Sequence, residues 1–132
     1  TAFVLKVLVH GKIAFFASVL ASLSGQEEFR IKAQLAHGRA SILSALLKRC
    51  GFTDAVSGVM LRGLDCWRAV ANGKLNAGPQ EIARMMLQHF NAAETTPAFA
   101  HGNDDLVALV RSIYLETIRE NGRRHAEAIK AA

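Results

Sequence analysis

The chain contains no apolar run long enough to cross a membrane. Its longest uncharged apolar stretch, from Ile13 to Leu23, is about half of the ~20 residues that a membrane-spanning helix needs. Cysteine is also scarce, since Cys50 and Cys66 are the two in 132 residues, and they lack the density of a disulfide scaffold. We therefore expect a cytoplasmic protein in which both thiols are small residues of a helical core.

Motifs typical of enzymes are missing as well. Neither Gly-x-x-x-x-Gly-Lys-Ser/Thr nor Gly-x-Gly-x-x-Gly occurs, which argues against a loop that cradles a nucleotide, and Gly-x-Ser-x-Gly is also absent. The five histidines are scattered, so no pair has the helical spacing of two metal ligands. The sequence predicts no catalytic residue, no cofactor and no metal site, and hence a non-enzymatic role.

Glycines divide the first half of the chain into short segments. Gly11, Gly25, Gly38 and Gly51 each follow an apolar run, one every 13 or 14 positions. This spacing suits helices of about three turns that end at a left-handed residue. Between the glycines, apolar residues recur at helical spacing, and no alternating pattern indicates a strand.

Further signals mark where helices begin. Ser24 and Glu27 have the spacing of a capping box for a third helix that starts at Gly25 or Gln26. In the second half, Thr53 predicts the cap of a longer fifth helix. We expect this fifth helix to end near Ala71 and to carry Arg62, Asp65 and Arg68 on its outer face. A sixth helix should start at Pro79, a loop should cover 92–102, and Asn103 should cap the last helix.

These signals predict an all-α fold. We expect an array of about seven helices, with short antiparallel helices in the first half and a longer terminal helix. Residues 1–132 have the size of a single helical domain. Because the chain begins at Thr1 without a methionine or a leader, we expect it to be a fragment of a longer chain.

Three segments together resemble a known bacterial family. Residues 14–25 form a paired-phenylalanine pattern ending in Leu-x-Gly, residues 30–35 an arginine-containing helix ending in Leu, and residues 44–52 a Leu-Leu-x-x-x-Gly-Phe close. In this order they resemble the C-terminal part of the uncharacterised family named domain of unknown function 2336, over roughly half of the chain. The resemblance implies an all-helical fold and a non-enzymatic, interaction-based role, and it supplies no catalytic residue.

Positive charge is concentrated in the first half. The net charge is +5, and residues 1–51 account for all of it with seven Lys/Arg against two Glu. The candidate contacts for an anion or a nucleic acid are Arg30, Lys32, Arg39, Lys48 and Arg49. A DNA-binding transcriptional regulator is therefore the alternative hypothesis, although Arg30 and Lys32 point to opposite sides of their helix and the next helix is mostly Leu, Ile and Ala.

Protein interaction is the leading hypothesis. The short helices of the first half need cover on more than one side, and such arrays often complete their core against a partner or a second copy. Leu115 adds an apolar residue on the side of the last helix that carries Arg111 and Arg119. The candidate contacts for a protein partner or a homodimer are Phe3, Val7 and Leu115.

Overall fold

The structure is a computed structural model that describes residues 1–93 and 104–131. In these residues the chain forms seven α-helices and no strand, which confirms the predicted all-α fold. The helices are α1 (Ala2–Val9), α2 (Ile13–Ser24), α3 (Glu28–His37), α4 (Ala40–Arg49), α5 (Asp54–Ala71), α6 (Pro79–Ala93) and α7 (Asp104–Ala131). None of them is both long enough and apolar enough to span a bilayer. Most of the predicted loop over 92–102, and the predicted cap Asn103, lie outside the described residues.

The predicted left-handed helix ends form at three of the four glycines. Gly11, Gly25 and Gly51 have φ angles of 71°, 72° and 96°. Gly38 departs from the prediction, because its φ is −66° and its backbone is extended. It nevertheless has to be glycine, since a Cβ there would lie 2.5 Å from the carbonyl oxygen of Gln34.

The predicted capping box at the start of α3 is wrong. Ser24 is the last residue of α2, and α3 begins only at Glu28, with Glu27 as its N-cap. The left-handed Gly25 reverses the chain at the end of α2, so Ser24 Oγ reaches only the amide of Gln26, at 3.4 Å. Gly25 and Gln26 therefore form the turn between the two helices and are not part of α3.

Helices α5 and α6 begin as predicted. Thr53 Oγ1 accepts a hydrogen bond from the amide of Val56 at 3.3 Å, and α5 then runs to Ala71. Pro79 begins α6, where the Glu81 carboxylate accepts from the amide of Gly78 at 2.9 Å. Both side chains satisfy amides that a helix leaves without a partner in its first turn.

Helix α5 is central to the core because it contacts α1, α4 and α6. Gly63 lies where α1 and α6 approach it, with Leu8 Cδ2 and Met86 Sδ both 3.0 Å from where its Cβ would be. Leu8 and Met86 are fully buried. α7 packs on α6 and α1, while α2 packs on α1, α3 and α4.

Two adjacent residues of α5 bind the ends of two other helices. Trp67 Nε1 donates to the carbonyl of Leu8, at the end of α1, at 2.6 Å. The Arg68 guanidinium donates to the carbonyls of Leu35 at 2.7 Å and of Gln34 and Gly38 at 2.9 Å, at the end of α3. The carbonyls at a helix end carry partial negative charge, so these donors tie the ends of α1 and α3 to α5, in addition to the backbone amides of Gly11 and Gly38 that bond the carbonyls of Leu8 and Gln34.

Candidate functional site

An apolar groove lies between α2, α3 and α5, with a volume of about 470 Å³. The residues on α3 and on α5 that line it are spaced three and four apart, so each helix turns one face toward it. The lining comprises Ile13 and Ala14 of α2, Lys32, Leu35 and Ala36 of α3, and Leu64, Trp67, Arg68 and Ala71 of α5. Trp67 is the single tryptophan of the chain and is half-buried.

The two charged residues that line the groove are both basic. Lys32 Nζ lies 3.3 Å from the carboxylate of Glu28, one turn earlier on α3. The Ser18 hydroxyl donates to the same carboxylate at 2.7 Å, and this bond, followed by the Lys32 ammonium, lowers the pKa of Glu28. Arg68 instead uses backbone carbonyls, so the groove combines apolar walls with positive charge.

The three predicted protein contacts differ in burial. Phe3 and Phe15 are 60% and 49% exposed, and their rings pack edge to face with centroids 5.8 Å apart. Leu115 is 45% exposed on α7. Val7, by contrast, is buried in the core, because the face of α1 that bears it is covered by neighbouring helices, and its expected role as a contact is therefore withdrawn.

The five predicted basic contacts are divided among different surroundings. Arg30 and Arg49 come together, since both line a polar depression of about 470 Å³ that we call the arginine pocket. Lys32 lines the apolar groove, and Lys48 lies 3.2 Å from the carboxylate of Asp54. Arg39 is exposed at the start of α4. The other residues of the arginine pocket are Gly25, Gln26, Glu27 and Gln34.

Sequence reasoning missed the part that Arg68 plays. It was expected on the solvated outer face of α5 with Arg62 and Asp65, but it is partly buried against the end of α3. Its acceptors lie about 30 residues earlier in the chain, so no local pattern identifies them. In the sequence, Trp67 is distinguished only as the single tryptophan, and its spacing from other apolar residues does not indicate a groove.

Reactive groups do not converge in the part of the chain that the structure describes. Residues 1–93 and 104–131 contain no group of three His, Cys, Asp or Glu side chains placed to hold a metal. Cys50 and Cys66 are free thiols, and burial raises the pKa of both. A raised pKa disfavours the nucleophilic thiolate.

Comparison with known protein families, with curated proteins and with solved structures finds no match to this chain.

Proposed function

We propose that this chain is a non-enzymatic helical module, regulatory or scaffolding in role, that binds an amphipathic helix of a partner protein in its apolar groove. The observation that carries the proposal is the groove itself. Its walls include Ile13, Leu35, Leu64 and Trp67, and no described residue covers it. Grooves of this kind bind the apolar face of an amphipathic helix, which would bury the part of the Trp67 indole that is exposed.

Charge favours an acidic partner. Lys32 and Arg68 are the charged residues of the groove, and the first 51 residues hold the whole net positive charge of the chain. Complementary charge raises the rate of association and suppresses wrong partners. The bound helix should therefore carry Asp or Glu beside its apolar face.

The exposed aromatic pair supports an interaction role. Large apolar side chains exposed side by side often mark a protein-binding surface, and Phe3 and Phe15 meet each other rather than the core. Ala14 lines the groove and Phe15 is the next residue of α2. Both surfaces thus include the first turns of α2, which offers a partner more area than the groove alone.

The proposal retains two predictions from the sequence. A cytoplasmic location agrees with the free thiols of Cys50 and Cys66, since disulfides are rare in that compartment. The resemblance to the domain of unknown function 2336 remains a prediction that is consistent with an interaction role.

Exposed alanines allow the groove to be blocked without a change in the core. Ala14 and Ala36 line it and Ala33 does not, and all three are exposed. Ala14→Arg and Ala36→Arg should therefore fill the groove with a charged side chain, while Ala33→Arg on the same helix is the matched control. Arginine is a good helix former, so the helices should persist.

The test begins with affinity capture from a lysate of the source cells. The candidate partners are the proteins that bind to the immobilised wild-type chain and to Ala33→Arg but not to the two groove variants. Each such protein is purified and titrated against the emission of Trp67. We expect the groove variants to weaken binding at least tenfold, which corresponds to about 1.4 kcal/mol, and Ala33→Arg to change it less than about twofold.

Light scattering over a hundredfold range of concentration tests the alternative partner, a second copy of the chain. A dimer that Ala36→Arg dissociates would support an interaction module but contradict the proposed acidic helix of another protein. A monomer for which no partner depends on the groove contradicts the function as a whole. Retention on duplex DNA that disappears with salt and with neutralisation of the five basic contacts would favour the DNA-binding alternative.

A further inference from the structure

The arginine pocket contains two cations that come from different helices and take part in none of the ion pairs of the described residues. Arg30 lies on α3 and Arg49 is the last residue of α4. Among residues 1–93 and 104–131, the ion pairs involve Lys6, Lys32 and Lys48 instead. Each guanidinium has five N–H donors in a planar fork that matches an oxyanion. Two such forks on one depression form a site for a negatively charged group.

Gln34 adds a side-chain amide to the lining of the arginine pocket. Its Oε1 is buried and has no hydrogen-bond donor among the described residues, although its side chain lines the pocket. A buried polar atom without a partner costs roughly 1–3 kcal/mol. Because Oε1 is buried, the end of the amide that can reach a ligand in the pocket is Nε2, which carries two N–H donors. One of these donors would complete the coordination of an oxyanion held by Arg30 and Arg49.

Glu27 limits the charge of the ligand. Its carboxylate belongs to the same pocket as Arg30 and Arg49, so the charged lining sums to one positive charge. A singly charged anion balances that charge, whereas a doubly charged one would leave a negative charge uncompensated beside Glu27. The pocket therefore favours a monoanion.

An apolar shelf adjoins the pocket. A second depression of about 250 Å³ shares Gln26, Gln34 and Arg49 with it and adds Ile42, Ala45 and Leu46. Ile42 is 47% exposed. A ligand whose charged group meets the arginines would lay an apolar body on this shelf and remove Ile42 from water.

We propose that the arginine pocket binds an organic monoanion, with its oxyanion group between Arg30 and Arg49 and its apolar body on the shelf formed by Ile42, Ala45 and Leu46. This site is separate from the apolar groove, because the two depressions share no lining residue. Its failure would leave the proposed protein-binding function unaffected. The oxyanion can be a carboxylate or a phosphate diester, and two probes distinguish them.

The test is calorimetric titration of the whole chain at neutral pH with benzoate, methyl phenyl phosphate, inorganic phosphate and benzyl alcohol; the second probe is a phosphate diester, which carries a single negative charge. We expect at least one of the two aromatic anions to bind with a Kd of about 1 mM or below. Inorganic phosphate lacks the apolar body and benzyl alcohol lacks the charge, so both should bind at least fivefold more weakly. Tighter binding of benzoate would identify a carboxylate, and tighter binding of methyl phenyl phosphate would identify a phosphate diester.

Charge variants decide whether the binding belongs to this pocket. Arg30→Gln and Arg49→Gln should each weaken it at least fivefold, and Glu27→Gln should strengthen it and make a dianion acceptable. Arg39→Gln is the matched control, because Arg39 is exposed outside the pocket. All four residues are exposed, so helical circular dichroism should be unchanged.

Two results would overturn the proposal. One is the absence of saturable binding for both aromatic anions at about 10 mM, tenfold above the expected Kd. The other is a loss of affinity in Arg39→Gln equal to that in Arg49→Gln, which would mean that the anions respond to overall charge alone.

Discussion

Replacing Gly63 by alanine should destabilise the protein, although alanine is the better helix former. A Cβ at Gly63 would lie 3.0 Å from both Leu8 Cδ2 and Met86 Sδ, about 0.5 Å inside the ordinary separation of 3.5–4.0 Å. Leu8 and Met86 are fully buried, so neither can move into solvent. Overpacking of this kind costs about 1–3 kcal/mol, and helix propensity returns up to about 1 kcal/mol. We expect the free energy of unfolding to fall by about 1–2 kcal/mol.

Gly122 on α7 is the matched control, because no atom of the described residues lies within 4 Å of its Cβ position. Gly122→Ala should therefore raise the free energy of unfolding, by up to about 1 kcal/mol. Urea unfolding followed by Trp67 emission and by circular dichroism measures both variants. In a Leu8→Ala background the penalty of Gly63→Ala should shrink, since Cδ2 is gone. The packing argument fails if Gly63→Ala stabilises the chain as much as Gly122→Ala.

Three further outcomes are expected. Arg68→Ala removes the side-chain donors to the carbonyls of Leu35 and Gly38 and one of the two donors to that of Gln34. Urea unfolding should therefore show a loss of about 2–3 kcal/mol, and a loss below about 0.5 kcal/mol would contradict the capping role. Ser57→Ala removes a buried hydroxyl that has no partner among the described residues, so Tm should stay equal or rise, and a lower Tm would mean that the hydroxyl is bonded. Burial, followed by the charge of Arg62, lowers the pKa of His89 below its ordinary value of 6.5. The free energy of unfolding should therefore decline as pH falls below 6.5 toward the lowered pKa of the folded state, because only the unfolded chain takes up the proton in that range. His89→Gln should remove that part of the decline. An unchanged pH profile in this variant would refute the assignment to His89.

The helices that local chemistry defines were predictable from the sequence. Thr53 and Pro79 act within one turn of where they stand, and each begins the helix expected of it. Gly25 and Gly51 end apolar runs through their own φ angles. Such signals need no knowledge of the rest of the fold, so the number and order of the helices follow from them.

Features that depend on distant contacts were not predictable. Gly38 has an extended backbone with its carbonyl bonded to Arg68, which is 30 residues away. Val7 is buried because of the helices that surround α1. The apolar groove and the arginine pocket are formed by residues of two or more helices. Hydrophobic periodicity indicates which face of a helix is apolar, but it does not indicate where the faces of two helices leave a gap. Arg30 and Arg49 were both named from the sequence, but their convergence required the fold.

The neighbouring positions of Trp67 and Arg68 make α5 sensitive to changes in chain length. Successive residues of an α-helix are turned by about 100°, so one residue inserted between Gly63 and Trp67 would rotate both donors away from their carbonyls together. The ends of α1 and α3 would then be released in a single step. An insertion of the same size in the exposed segment 72–74 leaves that register intact. Tolerance to insertions should therefore drop sharply at the boundary between this segment and α5.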